Sequence, residues 1–254
     1  MVLAISYRLA MNLKKSIMSN IEKRYHDASY LANNPGWDRK DSPWKADLVR
    51  AVLSDFKVLP SSICEVGCGS GDVLVHLRRY YPDTAFYGYD ISPQAAVFWR
   101  EHEQHDIHFR QGDFFELNHE VYDVILMLDV IEHLRDPFTF LECLRSTASY
   151  FVFHIPLDLS ASTVLRGHPL INIRSKAGHI HYYTKDLAIA TLKECGFEII
   201  HWRYSGAATN SPQRTLKTRI AMWPRLALYA FHKDFGVRAL GGETLVVLAR
   251  AVRG

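Results

Sequence analysis

Three glycines at alternate positions, Gly67, Gly69 and Gly71, stand behind Glu65 at the end of an apolar run in ICEVGCGSGD, residues 63–72. Glycine adopts backbone angles closed to other residues and lets main-chain N–H groups come close to a ligand. The spacing is GxGxG, and Asp72 opens the next helix, where it would repel a phosphate. A diphosphate ligand is therefore disfavoured at this turn. Further along, Asp90 ends FYGYDIS, where a carboxylate can accept from both hydroxyls of an adenosine ribose. Asp113, in QGDFFEL, could accept from an adenine amino group while Phe114 covers the ring face.

The chain has 13 histidines, most of them necessarily bystanders. His133, in LDVIEHL, is placed just past an apolar run and suits proton removal near neutral pH. Asp129, Glu132 and His133 together offer oxygen and nitrogen donors, but nothing in the sequence fixes a further ligand, so no metal is expected. His179 and His181, in AGHIHYYT, fall where a lid would join the body; either could contact an acceptor or anchor the lid. Tyr182 and Tyr183 could line a pocket or pack beneath the loop.

These residues need a frame. After Pro60 short apolar runs alternate with helical patterns, the texture of a parallel sheet with crossover helices. Strands are expected at 62–66, 84–89, 107–110, 121–128, 149–155, 197–204 and 243–249, and helices at 72–80, 93–103, 137–146 and from Thr184 to about Cys195. Ser92-Pro93, Asp136-Pro137 and, near the N-terminus, Asp41-Ser42-Pro43 read as helix starts, the last with Ser42 as cap. Two irregular insertions fill 156–183 and 205–242, and Pro224 is expected to break a helix in the second.

Composition narrows the class. At 254 residues with 48% apolar content, the chain can bury a sizeable core, and a net charge of +3 is too slight to imply nucleic acid. Cys64, Cys68, Cys143 and Cys195 form no paired motif and read as reduced thiols, which points to the cytoplasm. No run approaches the roughly 18 apolar residues of a spanning helix. Residues 214–235 mix Arg214, Lys217, Arg219, Arg225 and Lys233 with Met222, Trp223, Tyr229 and Phe231, so they could rest peripherally on an anionic membrane, close over an amphipathic substrate, or pack on the domain. NPGWDRKDSPW, with Trp37 and Trp44, reads as an N-terminal lid or as packing. The first twenty residues are given no role.

In order along the chain, ICEVGCGSGD, FYGYDIS, RQGDFFEL and YDVILMLDVIEHLRDP resemble the class I S-adenosylmethionine-dependent methyltransferases over roughly residues 60–205. Within them, DVIEHLRDP, GHIHYYT and GFEII look most like the bacterial small-molecule group that includes ubiquinone-biosynthesis O-methyltransferases. The resemblance implies a Rossmann-like α/β fold: a seven-stranded, mostly parallel sheet with an antiparallel last strand, helices on both faces and an N-terminal helical cap. The pattern along the chain divides it into a cap, 1–59, and a cofactor-binding domain, 60–254, with the two insertions. S-adenosylmethionine is the implied cofactor and a small molecule the implied acceptor, methylated at oxygen. Glu65, Gly67 and Gly69 would then border its methionine part, Asp90 the ribose, Asp113 and Phe114 the adenine, and Leu128 and Asp129 the sulfonium side, with Cys68, Gly71 and Ile91 also among the cofactor-binding residues. His133, His179 and His181 are the catalytic candidates. Two alternatives stand: a nicotinamide-dependent oxidoreductase, and a methyltransferase-like subunit that binds cofactor without turnover.

Overall fold

The computed structural model describes residues 24–25, 29–37, 39–207 and 216–252. Seven strands form one sheet in the order β3-β2-β1-β4-β5-β7-β6. They are β1 Ser62–Val66, β2 Ala85–Asp90, β3 Ile107–Gln111, β4 Tyr122–Leu128, β5 Ala148–Pro156, β6 Phe197–Tyr204 and β7 Thr244–Ala251. The first five run parallel, with Ile63 beside both Phe86 and Val124. β7 enters antiparallel between β5 and β6, bringing Val247 beside Phe153 and Trp202. All seven expected strands are present within one or two residues.

The middle strands are apolar on both faces because both faces are covered. Ile125, Met127, Phe151, Phe153 and Ile155 pack to one side with Leu141, Leu144, Leu192 and Phe197. Val124, Leu126 and Val152 pack to the other with Leu74, Leu77 and four residues of the N-terminal helix, Ala46, Val49, Val52 and Leu53. Strand alternation thus feeds two cores from one sheet.

The described helices are α1 Ser29–Asn33, α2 Ser42–Asp55, α3 Asp72–Arg78, α4 Pro93–Ala96, α5 Phe114–Leu117, α6 Pro137–Leu144, α7 Ala161–Arg166, α8 His168–Lys176, α9 Lys185–Glu194 and α10 Leu216–Leu240. Four details differ from the sequence reading. Ser42 lies inside α2, buried, and Asp41 takes the cap position without a side-chain cap bond. The expected 93–103 helix is one α-turn followed by 3₁₀ turns over Phe98–His105. The first insertion is not irregular: Ser160 and Thr163 form a reciprocal capping box that starts α7, and Gly167 hands on to α8 with Pro169 in its first turn. Pro224 does not divide α10; the break is at His232, whose Nδ1 accepts from the Phe235 N–H and so caps the second segment. Asp136 and Thr184 do cap α6 and α9 with their side chains. Residues 1–20 and Arg214 lie outside the described residues.

Candidate active site

The ends of β1, β2 and β4 meet at one edge of the sheet, where the open crevice of such folds lies. Gly67, Gly69 and Gly71 all take positive φ there, between 53° and 81°. Packing imposes part of that choice: a Cβ on Gly67 would stand 2.7 Å from Val130, and one on Gly71 2.5 Å from Phe109. Gly69 has only Trp37 near it, at 3.4 Å, so the N-terminal segment lies over the turn. Trp99 borders the same turn, donating its indole N–H to the Gly69 carbonyl and stacking on Phe109.

Asp90 is clamped to this turn. One carboxylate oxygen accepts from the Gly69 N–H at 2.8 Å and the other from the Ser92 N–H at 2.8 Å. Glu65 is almost fully buried, and its Oε2 has no hydrogen-bond partner among the described residues. Burial pushes its carboxyl up to about 8, with Lys45 pulling down and Asp90, Asp129 and Asp72 pushing further up. Cys68 is buried beside them and burial likewise raises its thiol well above the usual range. Asp72 is met by Arg39 through two hydrogen bonds, so the helix start carries an ion pair.

An orphaned buried carboxyl oxygen and a fixed second carboxylate suit a ligand that is cationic at one end and carries a diol at the other. S-adenosylmethionine has both features. The remaining expected contacts are more mixed. Ile91 is partly exposed beside Asp90. Asp113 caps α5, accepting from the Phe115 and Glu116 N–H groups, and Phe114 is buried edge-on against Tyr89. Leu128 is buried in the core at the end of β4.

Asp129 follows with φ +58°. Its Oδ2 pairs with Lys45 Nζ and its Oδ1 with His154 Nδ1, each at 2.7 Å. Burial alone would raise its carboxyl; His154 and Lys45 outweigh that and hold it well below the ordinary range. His154 continues through Nε2 to Thr244 Oγ1, which pairs in turn with Ser205. The network runs from the N-terminal helix to β7. Sequence spacing concealed Lys45 and His154, because each sits inside an apolar element 84 or 25 residues from its partner.

A second polar cluster lies just beyond. His133 Nε2 and His179 Nε2 face Glu132 Oε1 at 3.8 and 4.0 Å. Main-chain bonds from the Ile180 and His181 N–H groups to the Glu132 carbonyl hold the insertion here. Burial drives the His133 imidazole down to about 3, His179 adding to the fall and the Gly178 carbonyl opposing it. Glu132 is completely buried and its carboxyl is pushed well up, by burial first and Asp129 second. His181 turns away, with Nε2 on the Leu134 carbonyl at 2.9 Å. Tyr182 is half-buried and donates its hydroxyl to the Leu170 carbonyl, and Tyr183 is in the core. The fold thus brings His133 and His179 together, while His181 turns to the Leu134 carbonyl and Asp129 is held by Lys45 and His154.

A family profile described as a methyltransferase domain matches residues 38–202. No curated protein matches the sequence. Among solved structures, magnesium protoporphyrin IX methyltransferase from Synechocystis with bound S-adenosylhomocysteine is similar at 18% identity, covering 82% of this chain and 83% of that one, with TM-score 0.55. An O-methyltransferase family protein from Burkholderia thailandensis is similar at 14% identity over 92% of this chain and 63% of its own, with TM-score 0.60. The plantazolicin methyltransferase, in complex with a monoazolic desmethyl-plantazolicin analogue and S-adenosylhomocysteine, shares 18% identity over 99% of this chain and 96% of that one, with TM-score 0.57. At these identities the likeness is one of fold. The profile covers more than half the chain: it belongs to the methyltransferase-domain family and is, by family and fold, an S-adenosylmethionine-dependent methyltransferase.

Proposed function

We propose that the chain methylates a small-molecule acceptor at oxygen. The observation that carries the cofactor side is the Asp90 clamp, which fixes one carboxylate against the glycine turn while Glu65 keeps an unpartnered oxygen beneath it. Asp90 would hold the ribose diol and Glu65 the cationic methionine end. When bound, the cofactor would supply an electrophilic methyl on sulfur, which would form a C–O bond on the acceptor with the S–C electron pair left on a thioether sulfur and the hydroxyl proton passed to water. The chain's task is to align the acceptor and exclude water.

The acceptor side is supported by the two-helix insertion, which docks on the Glu132 carbonyl and carries His179 to His133. A small polar patch of Glu132, His133 and His179 would then meet the acceptor, with α7 and α8 as its lid. Residues 214–235 belong to the same reading, as a surface for an amphipathic acceptor or an anionic membrane; Trp223 and Phe231 on α10 are strongly exposed. Among the described residues no helix is long and apolar enough to cross a membrane.

Transfer of a labelled methyl group to metabolites in an extract tests the reading. A labelled O-methyl product supports it. A labelled protein or nucleic acid, with no labelled small molecule, would overturn it, and tight S-adenosylhomocysteine binding without any transfer would leave a binding subunit.

A further inference from the structure

Glu132 presents a problem that the methyl-transfer reading leaves unanswered. Its side chain is completely buried, yet neither carboxylate oxygen has a hydrogen-bond partner among the described residues. Buried polar groups are nearly always satisfied, and leaving one bare is costly. The nearest polar atoms, His133 Nε2 and His179 Nε2, stand 3.8 and 4.0 Å away. A hydrogen-bonded cluster would close to roughly 2.7–3.2 Å. These atoms are too far apart to bond one another and leave room for an ion among them.

We propose that Glu132, His133 and His179 bind one divalent cation of the zinc type. One ligand atom from each residue lies within 4.8 Å of the others. Tetrahedral ligands about 2.1 Å from an ion stand about 3.4 Å apart, so the three atoms must close by roughly 0.5–1.5 Å to complete the site. Two imidazoles and a carboxylate suit zinc and its neighbours rather than magnesium or calcium.

The surroundings match those of a metal site. Histidine ligands are oriented by a partner on the other ring nitrogen. His179 Nδ1 meets Asp158 Oδ2 at 2.6 Å, and His133 Nδ1 meets the Tyr25 hydroxyl at 2.9 Å. With the proton on each Nδ1, both Nε2 lone pairs point toward Glu132. The two rings meet edge to face, centroids 4.9 Å apart, so neither blocks the other's approach. Asp129 is no ligand here, since Lys45 and His154 occupy its two oxygens. The ligand that sequence could not supply comes from the insertion, 46 residues after His133. An ion would therefore tie the lid to the end of β4, and three protein ligands leave a position open for an oxygen.

The full chain, stripped with chelator and titrated with Zn²⁺, tests this by calorimetry and by metal analysis after gel filtration. One ion per chain is expected. His179→Ala should lose at least 100-fold in affinity, and Asp158→Asn, which touches no ion, 10- to 100-fold. Should the variants fail to fold, wild type alone decides: pulsed electron paramagnetic resonance of bound Cu²⁺ should show two imidazole nitrogens. Failure to take up an ion, uptake untouched by both folded variants, or a copper spectrum with fewer than two imidazoles overturns the site. None of these readouts depends on the acceptor, and S-adenosylhomocysteine binding on the same sample reads the cofactor function separately.

Discussion

Lys45 Nζ and Asp129 Oδ2 lie 2.7 Å apart, joining the N-terminal helix to the residue that follows β4. The pair is mostly buried, with side-chain exposures of 15% and 24%, and His154 holds the other Asp129 oxygen. A charge removed from such a pair strands its partner, and that penalty exceeds the net worth of the bond itself.

Lys45→Met should therefore destabilise the fold by about 1–3 kcal/mol, less than for a dry pair because both groups still touch water. Asp129 is held below its ordinary pKa, so its stabilisation is complete above the unfolded value of 3.8 and is lost as pH falls. Urea titrations from pH 7 down to 3 should show wild type losing more stability than Asp129→Asn. Parallel acid profiles for the two proteins would remove this assignment.

Glu65 gives the opposite slope. Its folded pKa of about 8 exceeds the ordinary 4.5, so the neutral acid supports the fold fully below 4.5 and that support is lost as pH rises toward 8. Glu65→Gln, a shape-preserving swap, should gain on wild type by on the order of 3 kcal/mol at pH 8 and little at pH 5. S-adenosylmethionine binding to wild type at pH 7 should release a proton, because its positive charge favours the carboxylate. Calorimetry in buffers of different ionisation enthalpy reads this directly; equal heats in every buffer would count against it.

Asp90→Ala should weaken S-adenosylhomocysteine binding by about 1–3 kcal/mol through lost hydrogen bonds. The Gly69 and Ser92 N–H groups lose their acceptor as well, so melting temperature should fall in parallel. An unchanged dissociation constant would fail the ribose assignment.

Gly71→Ala combines a φ of +81° with a Cβ 2.5 Å from the Phe109 ring, which is itself stacked on Trp99. The strain should cost about 1–3 kcal/mol by chemical denaturation. A neutral effect would mean the Trp99–Phe109 stack yields easily.

His133→Ala should lower turnover tenfold or more while largely keeping cofactor affinity, since its ring faces the insertion rather than the glycine turn and its two nitrogens face Tyr25 and Glu132. Wild-type rates on the true acceptor would exclude it from the chemistry.

The sheet was legible because strands buried on both faces must be apolar throughout, and VYDVILML and YFVFHIP leave little else to be. Local signals also carried the caps at Asp136 and Thr184. Polar partnerships across the sheet were not legible: Lys45 with Asp129, and His179 with Glu132, depend on tertiary approach, which no spacing rule encodes. The α7 start, in contrast, was readable. Ser160 with Thr163 and then Gly167-His168-Pro169 announce two helix beginnings inside a segment taken as irregular.

Inserting β7 between β5 and β6 orders events during synthesis. When the ribosome has delivered β6, the flank of β5 still has no neighbour, and both bare strands await the chain's last stretch. Until then each exposes a sticky row of amide groups open to pairing with a foreign strand. A nascent chain stalled before Thr244 should thus be a natural client for chaperones, whereas one extended past Ala251 can close its own seam.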